Sequence, residues 1–264
     1  MVKRKIKPSK SVNVSFVGKY VDLKDAYFSL TEALDHAGIN NDTKVNINFV
    51  NSDELNNKNY SSKLKKSDAI LVPGGFGGRG IEGMIIAAKY AREKKVPYFG
   101  ICLGLQIAII EIARNLCGLK DANSTEFKPR TKHKVISLIT EWKNEDGSIE
   151  KRDKNSDKGG TMRLGAQKAK LKKNSLAHKL YKKTNIFERH RHRYEVNPEY
   201  MAELEKKGLL ISARSEIHNL VEIIGMKDHP WYLGCQFHPE FTSKPKTGHP
   251  LFNDFIKTAV KLKR

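Results

Sequence analysis

The sequence is poor in cysteine and has no long apolar run. The first deficit argues against a disulfide-stabilised secreted protein, and the second argues against a membrane-spanning one. Its 264 residues include only 3 cysteines, whereas a secreted disulfide scaffold carries a denser, even set. No CxxC or Cys/His cluster suggests a zinc site, so we expect no metal. No run approaches the roughly 18 apolar residues of a membrane span, and the basic residues 1–10 lack the apolar core of a signal peptide. We therefore expect a soluble protein without a membrane partner, in a reducing, cytoplasmic setting.

Acidic residues are also scarce, with 29 Asp and Glu against 49 Lys and Arg and a formal net charge of +20. The positive electrostatic potential that such a charge creates attracts nucleic acids, nucleotides or acidic surfaces. The lysines are scattered through nearly every segment, however, and no basic stripe interleaved with aromatic residues stands out. The pattern favours solvated basic faces, and we expect no nucleic-acid partner.

The first half of the chain alternates between predicted strands and helices. Strands are predicted at residues 12–17, 45–50, 69–72 and 96–101, and helices at 25–37 (ending at Gly38), at 83–94 and from Cys102 to about Leu116. This alternation predicts an α/β fold with a central, mostly parallel sheet and helices on both faces.

The second half predicts shorter strands of a smaller, more antiparallel element. Strands are predicted at residues 134–140, 161–171, 186–196, 208–213, 220–226 and 233–237, an exposed loop or lid at 141–160, and a closing helix at 250–262. We interpret residues 1–10 as a disordered or linker tail and residues 11–264 as one domain.

The segment around Cys102 carries the strongest chemical signal. A short apolar strand leads into Gly100-x-Cys102-x-Gly104, and an apolar helix follows. A nucleophile between two glycines at a strand-to-helix turn is the sequence form of a nucleophile elbow, and glycine permits the sharp turn. The helix N-terminus favours a thiolate over a thiol. A lone buried cysteine more often only packs, but the two glycines make an enzyme the leading interpretation.

A cysteine nucleophile needs a base and a group that orients the base. His238 and Glu240 are the candidates, since the extended backbone that Pro239 favours would place both side chains on one side of the chain. The carboxylate could then hold the imidazole in the tautomer that accepts a proton from Cys102. Taken alone, His238 is more often a turn residue at a strand end, and the elbow reverses that preference.

The glycine-rich run at residues 74–80 is the second signal. Gly75 to Gly80 matches the GxGxxG form of a dinucleotide site, but that motif should open the first βαβ unit and precede an acid at the next strand end. Here the run follows the third predicted strand, and Gly-Ile-Cys occupies the next strand end. We therefore favour a run whose backbone N–H, together with the N–H of Leu103, stabilises an oxyanion.

Two further segments could bind charged groups of a substrate. If residues 188–195 form a strand, Arg189, Arg191 and Arg193 share one face and could clamp a carboxylate. A solvated basic strand or an RNA contact explains the same residues equally well. Glu126 could receive an amino group, although an exposed loop acid is the more common role.

Together these pieces resemble the glutamine amidotransferase domains of CTP synthases, which are class I, triad-type amidotransferases with a flavodoxin-like architecture. The matching strings are residues 17–20 (VGKY), 72–80 (VPGGFGGRG), 100–106 (GICLGLQ), 121–127 (DANSTEF), 159–165 (GGTMRLG), 188–197 (ERHRHRYEVN) and 235–243 (CQFHPEFTS). The likeness covers nearly all of residues 11–260. The Cys and His-Pro-Glu motifs mark the wider class only, whereas the strings at residues 121–127, 159–165 and 188–197 are specific to CTP synthases.

The resemblance implies a role for each matching residue. Cys102 would be the nucleophile, His238 the general base and Glu240 its orienting group. The amides of Gly75 and Leu103 would bind the oxyanion. The residues implied in glutamine binding are Gly75, Phe76, Leu103, Gly104, Leu105, Gln106, Glu126 and Arg193, with Arg193 taking the α-carboxylate. Arg152 would lie in a lid where GTP activates the family.

The resemblance also implies a larger enzyme. The amidoligase domain of CTP synthases, which binds ATP, UTP and Mg²⁺, lies N-terminal to the glutaminase domain, and no GxxxxGK[ST] string occurs in this sequence. We expect this chain to need no cofactor of its own, to hydrolyse L-glutamine weakly, and to supply ammonia to an amidoligase partner domain. A tetramer is implied only for the complete enzyme.

Two other classes stay open. One is a stand-alone class I hydrolase of another γ-glutamyl compound, which a test of glutamine specificity would separate from the first interpretation. The less favoured one is a basic nucleic-acid-binding protein, whose binding would fall steeply with salt.

Overall fold

We describe the chain from a computed structural model, which describes residues 2–21, 23–138, 141–143, 149–151 and 162–263. The strands are β1 (Lys10–Gly18), β2 (Thr43–Asn51), β3 (Ala69–Val72), β4 (Tyr98–Ile101), β5 (Ala122–Ser124), β6 (His133–Leu138), β7 (Glu141–Lys143), β8 (Ile149–Lys151), β9 (Arg163–Leu171), β10 (Asn185–His192), β11 (Tyr194–Val196), β12 (Leu209–Ser215), β13 (Val221–Met226) and β14 (Tyr232–Cys235). The helices are α1 (Val2–Ile6), α2 (Phe28–Asn40), α3 (Tyr60–Leu64), α4 (Ile81–Lys94), α5 (Leu103–Asn115), α6 (Leu176–Tyr181), α7 (Met201–Lys206) and α8 (Pro250–Leu262).

Among the described residues, one mixed sheet of 9 strands dominates, in the order β10-β9-β12-β13-β14-β4-β3-β1-β2. Neighbours from β14 to β2 are parallel, and those from β10 to β14 are antiparallel. Numbered along the chain, the parallel part has the 2-1-3-4-5 order of flavodoxin-like sheets. The predicted α/β architecture is confirmed, and the antiparallel strands extend the same sheet.

Helices cover both faces because the central strands are apolar on both sides. Every residue of β3 and of β4 is buried, as is typical of central parallel strands. Ile70 packs in a core with Met84 of α4 and with side chains of α5. Its neighbour Leu71 points into the opposite core, with Leu34 of α2 and Phe255 of α8.

The parallel strands bring distant chemistry to one edge of the sheet. Lys19 follows β1, the glycine run 74–80 follows β3, and Cys102 follows β4. Gln236 and His238 follow β14, the parallel neighbour of β4. Ligands of open α/β sheets bind beyond the carboxyl ends of their strands, so this edge is where a site is expected.

Smaller sheets complete the described structure. One has the order β11-β6-β5, and β7 pairs with β8. Within the described ranges, no helix has the length and apolar character needed to cross a bilayer.

Three local predictions differ from the structure. In the predicted tail 1–10, residues 2–6 are helical, with Lys5 Nζ 3.0 Å from Asp35 Oδ2, and Lys10 already pairs in the sheet. Gly38 does not end α2, which continues to Asn40. A Cβ at Gly38 would lie 2.6 Å from the Thr43 carbonyl oxygen, so this glycine serves a close backbone contact. The predicted loop 141–160 contains the paired β7 and β8, and its remainder, with Arg152, lies outside the described residues.

Candidate active site

Cys102 occupies the turn between β4 and α5 in a backbone conformation that L-residues rarely adopt. Its φ is 52° and its ψ is −100°, which is strained for a residue with a side chain. A hydrogen bond from its N–H to the Cys235 carbonyl (2.7 Å) and one from the Leu105 N–H to its own carbonyl (3.1 Å) hold this conformation. The predicted nucleophile elbow is therefore present in the geometry.

The two glycines of the elbow act through close packing. Positive φ falls on Cys102 itself, and neither Gly100 nor Gly104 has it. A Cβ at Gly104 would lie 2.2 Å from the Val72 carbonyl oxygen, and one at Gly100 would lie 2.5 Å from the Gly104 carbonyl oxygen. The glycines let α5 approach the ends of β3 and β4, and the strain at Cys102 follows from that approach.

His238 and Glu240 lie beside Cys102, although a tight turn rather than extended chain joins them. Residues Pro239–Thr242 form a 3-10 turn, and His238 Nδ1 lies 2.7 Å from Glu240 Oε1. A Cβ built on Gly74 would lie 2.9 Å from His238 Cε1 and 3.5 Å from Cys102 Cβ, so the imidazole and the cysteine side chain are adjacent. The order sulfur, imidazole, carboxylate is the arrangement of a nucleophile, a proton carrier and an orienting group.

The electrostatics favour a charged imidazole. Burial alone would lower the pKa of His238, but the Cys102 sulfur and then the Glu240 carboxylate outweigh it and raise that pKa to about 10. An imidazolium beside the sulfur stabilises a thiolate. The Nε2 of buried Gln236, 3.8 Å from Cys102 Sγ, adds a donor to the same sulfur.

The predicted oxyanion donors are neighbours. Leu103 is the first residue of α5, so its N–H is one of those that a helix leaves without an intrahelical acceptor. Gly75 packs directly against it, since a Cβ there would lie 3.3 Å from Leu103 Cδ2. A Cβ at Gly74 would lie 2.9 Å from His238 Cε1, so the absence of a side chain leaves room for the imidazole.

A cavity of about 260 Å³ opens on the Cys102 sulfur. Its lining residues are Gly75, Phe76, Cys102, Gln106, Glu126, Met162, His192, Arg193 and Tyr194. Glu126 and Arg193 form its acidic and basic groups, and they are close enough that Arg193 lowers the pKa of Glu126, which burial raises. One anion and one cation beside a thiol suit an α-amino acid that carries a reactive side chain.

The three arginines of the Arg-His string, Arg189, Arg191 and Arg193, do not lie on one face. On β10 the arginines are exposed and the histidines buried, as the predicted alternation requires. The strand ends at His192, however, and Arg193 lines the Cys102 cavity. Arg191 lies over the Phe76 ring at 5.9 Å, so the predicted clamp of three arginines on one face is wrong.

A second cavity of about 360 Å³ is also lined by Cys102. It contacts Gly75, Phe76 and His238 and is otherwise lined by residues such as Tyr20 and Phe241. Phe76 borders both cavities and is 48% exposed. Cys102 therefore borders two cavities.

Three predicted glutamine contacts, Leu103, Gly104 and Leu105, are absent from the cavity lining. The Leu105 side chain is fully buried in the core, and its N–H is engaged by the Cys102 carbonyl. The Gly104 carbonyl accepts a hydrogen bond from the Tyr98 hydroxyl at 2.8 Å. Both residues support the elbow, and any contact with a ligand would have to come from their backbone.

The sequence interpretation missed a charged cluster behind the cavity. Arg163 contacts Glu195 Oε1 at 3.0 Å and Glu222 Oε1 at 2.6 Å, and all three side chains are buried. Burial raises the pKa of both carboxyl groups, while Arg163 opposes the rise. His192, which lines the cavity, hydrogen-bonds His190 at 2.8 Å, and burial holds the pKa of both histidines well below its usual range.

The residues missed at the site have weak sequence signals. Met162 and Tyr194 flank motif residues, and His192 shares the Arg-His string. Gln236 precedes the His-Pro-Glu motif by two positions, and only its contact with Cys102 distinguishes it. Lys19 lies in the matching string at residues 17–20, but the resemblance gives it no role and nothing in its spacing marks it as buried.

The chain matches the family model described as glutamine amidotransferase class-I over residues 22–258. A solved structure described as the glutaminase domain of Trypanosoma brucei CTPS with bound acivicin is 38% identical, with a TM-score of 0.85, and the match covers 95% of this chain and 94% of that one.

A more distant solved structure is a glutamine amido transferase from Methylobacillus flagellatus. It is 12% identical with a TM-score of 0.51, and the match covers 88% of this chain and 71% of that one. At that identity the likeness concerns the fold alone.

Proposed function

The chain belongs to the class I glutamine amidotransferase family, and from that premise we propose that it hydrolyses L-glutamine to glutamate and ammonia through a γ-glutamyl thioester on Cys102. The observation that carries the proposal is one cavity in which the Cys102 sulfur meets Glu126 and Arg193. The similar Trypanosoma brucei domain binds acivicin.

In this mechanism glutamine lies with its α-carboxylate on Arg193 and its α-ammonium group on Glu126. The side-chain amide then reaches the Cys102 sulfur. Attack by the thiolate forms the carbon–sulfur bond and moves negative charge onto the amide oxygen. The N–H groups of Gly75 and Leu103 stabilise this oxyanion, and one such donor contributes about 10²–10³ in rate.

The raised pKa of His238 sets the order of proton transfers. Because this pKa is about 10, the imidazole is protonated at neutral pH, and His238 first acts as an acid. It gives its proton to the leaving nitrogen as the carbon–nitrogen bond breaks and ammonia departs. Neutral His238 then takes a proton from a water molecule as its oxygen attacks the thioester carbon. The carbon–sulfur bond breaks, glutamate is released, and the free Cys102 sulfur and the protonated His238 are restored.

We further propose that the ammonia serves ATP-dependent amination of UTP to CTP in a complete enzyme. ATP, UTP and Mg²⁺ belong to the amidoligase partner domain in this proposal, with GTP as an activator. Within the described residues, no group of three or more His, Cys, Asp or Glu is arranged to hold a metal ion. Docking of the partner would tune the oxyanion donors, so we expect low glutaminase activity from this chain alone.

The first test is Cys102→Ala in an assay of ammonia release from glutamine. We expect activity to be abolished, because the remaining thiols do not line the cavity. Cys117→Ala, which removes a partly exposed thiol, should retain wild-type activity. Turnover by Cys102→Ala would refute the assignment.

A labelling experiment makes the same test without turnover. Acivicin should add one adduct, on Cys102, as found by mass spectrometry of peptides. An adduct on Cys117, or equal labelling in the presence of excess glutamine, would contradict a glutamine site at the elbow. Faster hydrolysis of another γ-glutamyl compound than of glutamine would favour a stand-alone hydrolase.

A further inference from the structure

Lys19 is a buried lysine at the carboxyl end of β1. The residue is 2% exposed, although lysine is almost never fully buried without partners. Its ammonium group donates hydrogen bonds to the carbonyl oxygens of Phe76, at 3.0 Å, and of Gly77. The Nζ atom also lies 5.6 Å from the centre of the Phe127 ring. Lys19 therefore directs its charge at the backbone of the glycine run.

That run has little means of holding its own shape. Residues 74–80 are mostly glycine, and Gly77 and Gly80 have φ of 75° and 68°. Within the run, the Phe76 side chain is about half exposed. Glycine loses more conformational freedom on folding than any other residue, so contacts from other elements must fix this loop.

The contacts between the two segments are reciprocal. Lys19 holds the carbonyls of Phe76 and Gly77, while Arg79 Nη2 donates to the Lys19 carbonyl at 2.9 Å. The Tyr27 hydroxyl accepts the Lys19 N–H at 3.2 Å and so fixes the base of the side chain. The opposite side of the loop is held by Glu126 Oε1, which accepts the Gly77 N–H at 2.7 Å.

We propose that Lys19 is a positioning residue for glutamine hydrolysis. Its hydrogen bonds to the Phe76 and Gly77 carbonyls, which we call the latch, hold the loop 74–80 so that the Gly75 N–H stays aimed at the oxyanion. Glu126, which binds the Gly77 N–H, links this latch to the α-ammonium group of glutamine. The inference rests on the proposed function, since it gives Gly75 and Glu126 the roles stated there. Because one carboxylate contacts both the loop and the substrate, occupancy of the cavity and the conformation of the oxyanion donor are coupled.

The electrostatics of the latch agree with this role. Burial, with a smaller effect of Arg79, lowers the pKa of Lys19 to about 8, while Glu126 and Asp53 oppose the shift. The group is therefore still mostly charged at neutral pH, as two carbonyl acceptors and a facing carboxylate require.

The kinetic test replaces Lys19 with Met, which keeps the length of the side chain and removes its donors. We expect kcat for ammonia release to fall about 10²-fold, the effect of losing one oxyanion donor, with KM changed less than about 3-fold. Lys19→Arg, which retains a cationic donor, should recover part of the loss. Lys63→Met, which removes an exposed lysine paired with Glu54, should match the wild type.

Two further measurements separate positioning from general stability. The rate at which iodoacetamide alkylates Cys102 should be the same in Lys19→Met and the wild type, because the elbow does not depend on the latch. Hydrogen exchange of the peptide that contains residues 74–80 should accelerate in Lys19→Met and not in Lys63→Met, and this result does not depend on turnover.

The outcomes are distinct. Three results would refute the positioning role of Lys19 and leave the proposed glutamine hydrolysis intact. Lys19→Met could keep the wild-type kcat and hydrogen exchange, it could change only KM, or its rate of Cys102 alkylation could fall together with its activity. If the wild type releases no ammonia, the proposed function fails, and the exchange experiment still decides whether Lys19 orders the loop.

Discussion

The elbow at Cys102 and the glycine loop 74–80 are both glycine-rich turns at the same edge of the sheet, yet they are held in different ways. In the elbow, the glycines allow backbone to pack on backbone, with 2.2 Å between a Cβ built on Gly104 and the Val72 carbonyl oxygen. In the loop, a Cβ at Gly77 would meet nothing within 4 Å, and the side chains of Lys19 and Glu126 hold the backbone.

The difference shows how one catalytic step uses two kinds of support. The nucleophile is fixed by the packing of strands and a helix, which a ligand cannot easily alter. The loop that carries the proposed oxyanion donor is fixed by hydrogen bonds and charges, one of which belongs to Glu126, a carboxylate that lines the cavity. We infer that the elbow is permanent and that the loop is the part of the site that responds to a ligand or to a partner.

The largest expected effect comes from adding a methyl group to each region. Gly104→Ala should destabilise the fold by about 3 kcal/mol, since overpacking a well-filled site costs roughly 1–3 kcal/mol and here the neighbour is rigid backbone. Gly77→Ala should cost only about 1 kcal/mol, for its positive φ. Urea unfolding measures both, and equal losses would remove the distinction between the two turns.

The next effect tests the charge state at the elbow. Glu240→Gln removes the carboxylate that helps to raise the pKa of His238, so the imidazolium should deprotonate at a lower pH than about 10. We expect less thiolate at neutral pH, slower alkylation of Cys102, and a kcat about 10²-fold lower, in the usual range for one acid–base group. Glu216→Gln, which removes an exposed carboxylate paired with Lys168, serves as the control.

The same group makes stability depend on pH. The pKa of His238 is raised from its ordinary 6.5 to about 10 in the folded chain. Its charged interactions therefore stabilise the fold fully below about pH 6.5, and the contribution is lost as pH rises through about 10. In Glu240→Gln this loss should be complete at a lower pH, because only the folded-state pKa of His238 falls, and an unchanged pH profile of urea unfolding would contradict the charge assignment.

The smallest effect compares two stacked tyrosines beneath the elbow. Tyr98 and Tyr232 have ring centroids 4.4 Å apart, and only the Tyr98 hydroxyl bonds the Gly104 carbonyl. Tyr98→Phe should cost about 1 kcal/mol, the net value of one hydrogen bond, with kcat nearly unchanged. The Tyr232 hydroxyl has no hydrogen-bond partner among the described residues, so Tyr232→Phe should be neutral or stabilising, and the reverse order would be a contradiction.

Much of the fold could be predicted from the sequence because local patterns specify local structure. The apolar run at residues 69–72 and the alternation along β10 predicted buried and half-buried strands correctly. The prediction that Gly38 ends α2 was wrong, because a glycine needed for a close contact with Thr43 cannot be told from a helix-ending glycine in the sequence. The strand pattern wrongly put Arg193 on the face of Arg189 and Arg191, because the end of β10 at His192 depends on its neighbours in the sheet. Only the resemblance assigned Arg193 to the glutamine site.

The sequence by itself determined the elbow, the pairing of His238 with Glu240 and the family, because each is written in neighbouring residues with restrictive chemical requirements, whereas the tight turn at Pro239–Thr242 was not predicted. Only the tertiary structure decided that Lys19 is buried against the glycine loop and that Arg163 holds two carboxylates behind the cavity. The physical reason is that the burial and hydrogen bonding of a charged side chain depend on segments that are distant in the sequence. The identity of a lysine or an arginine therefore does not reveal whether it lies in solvent or in the core.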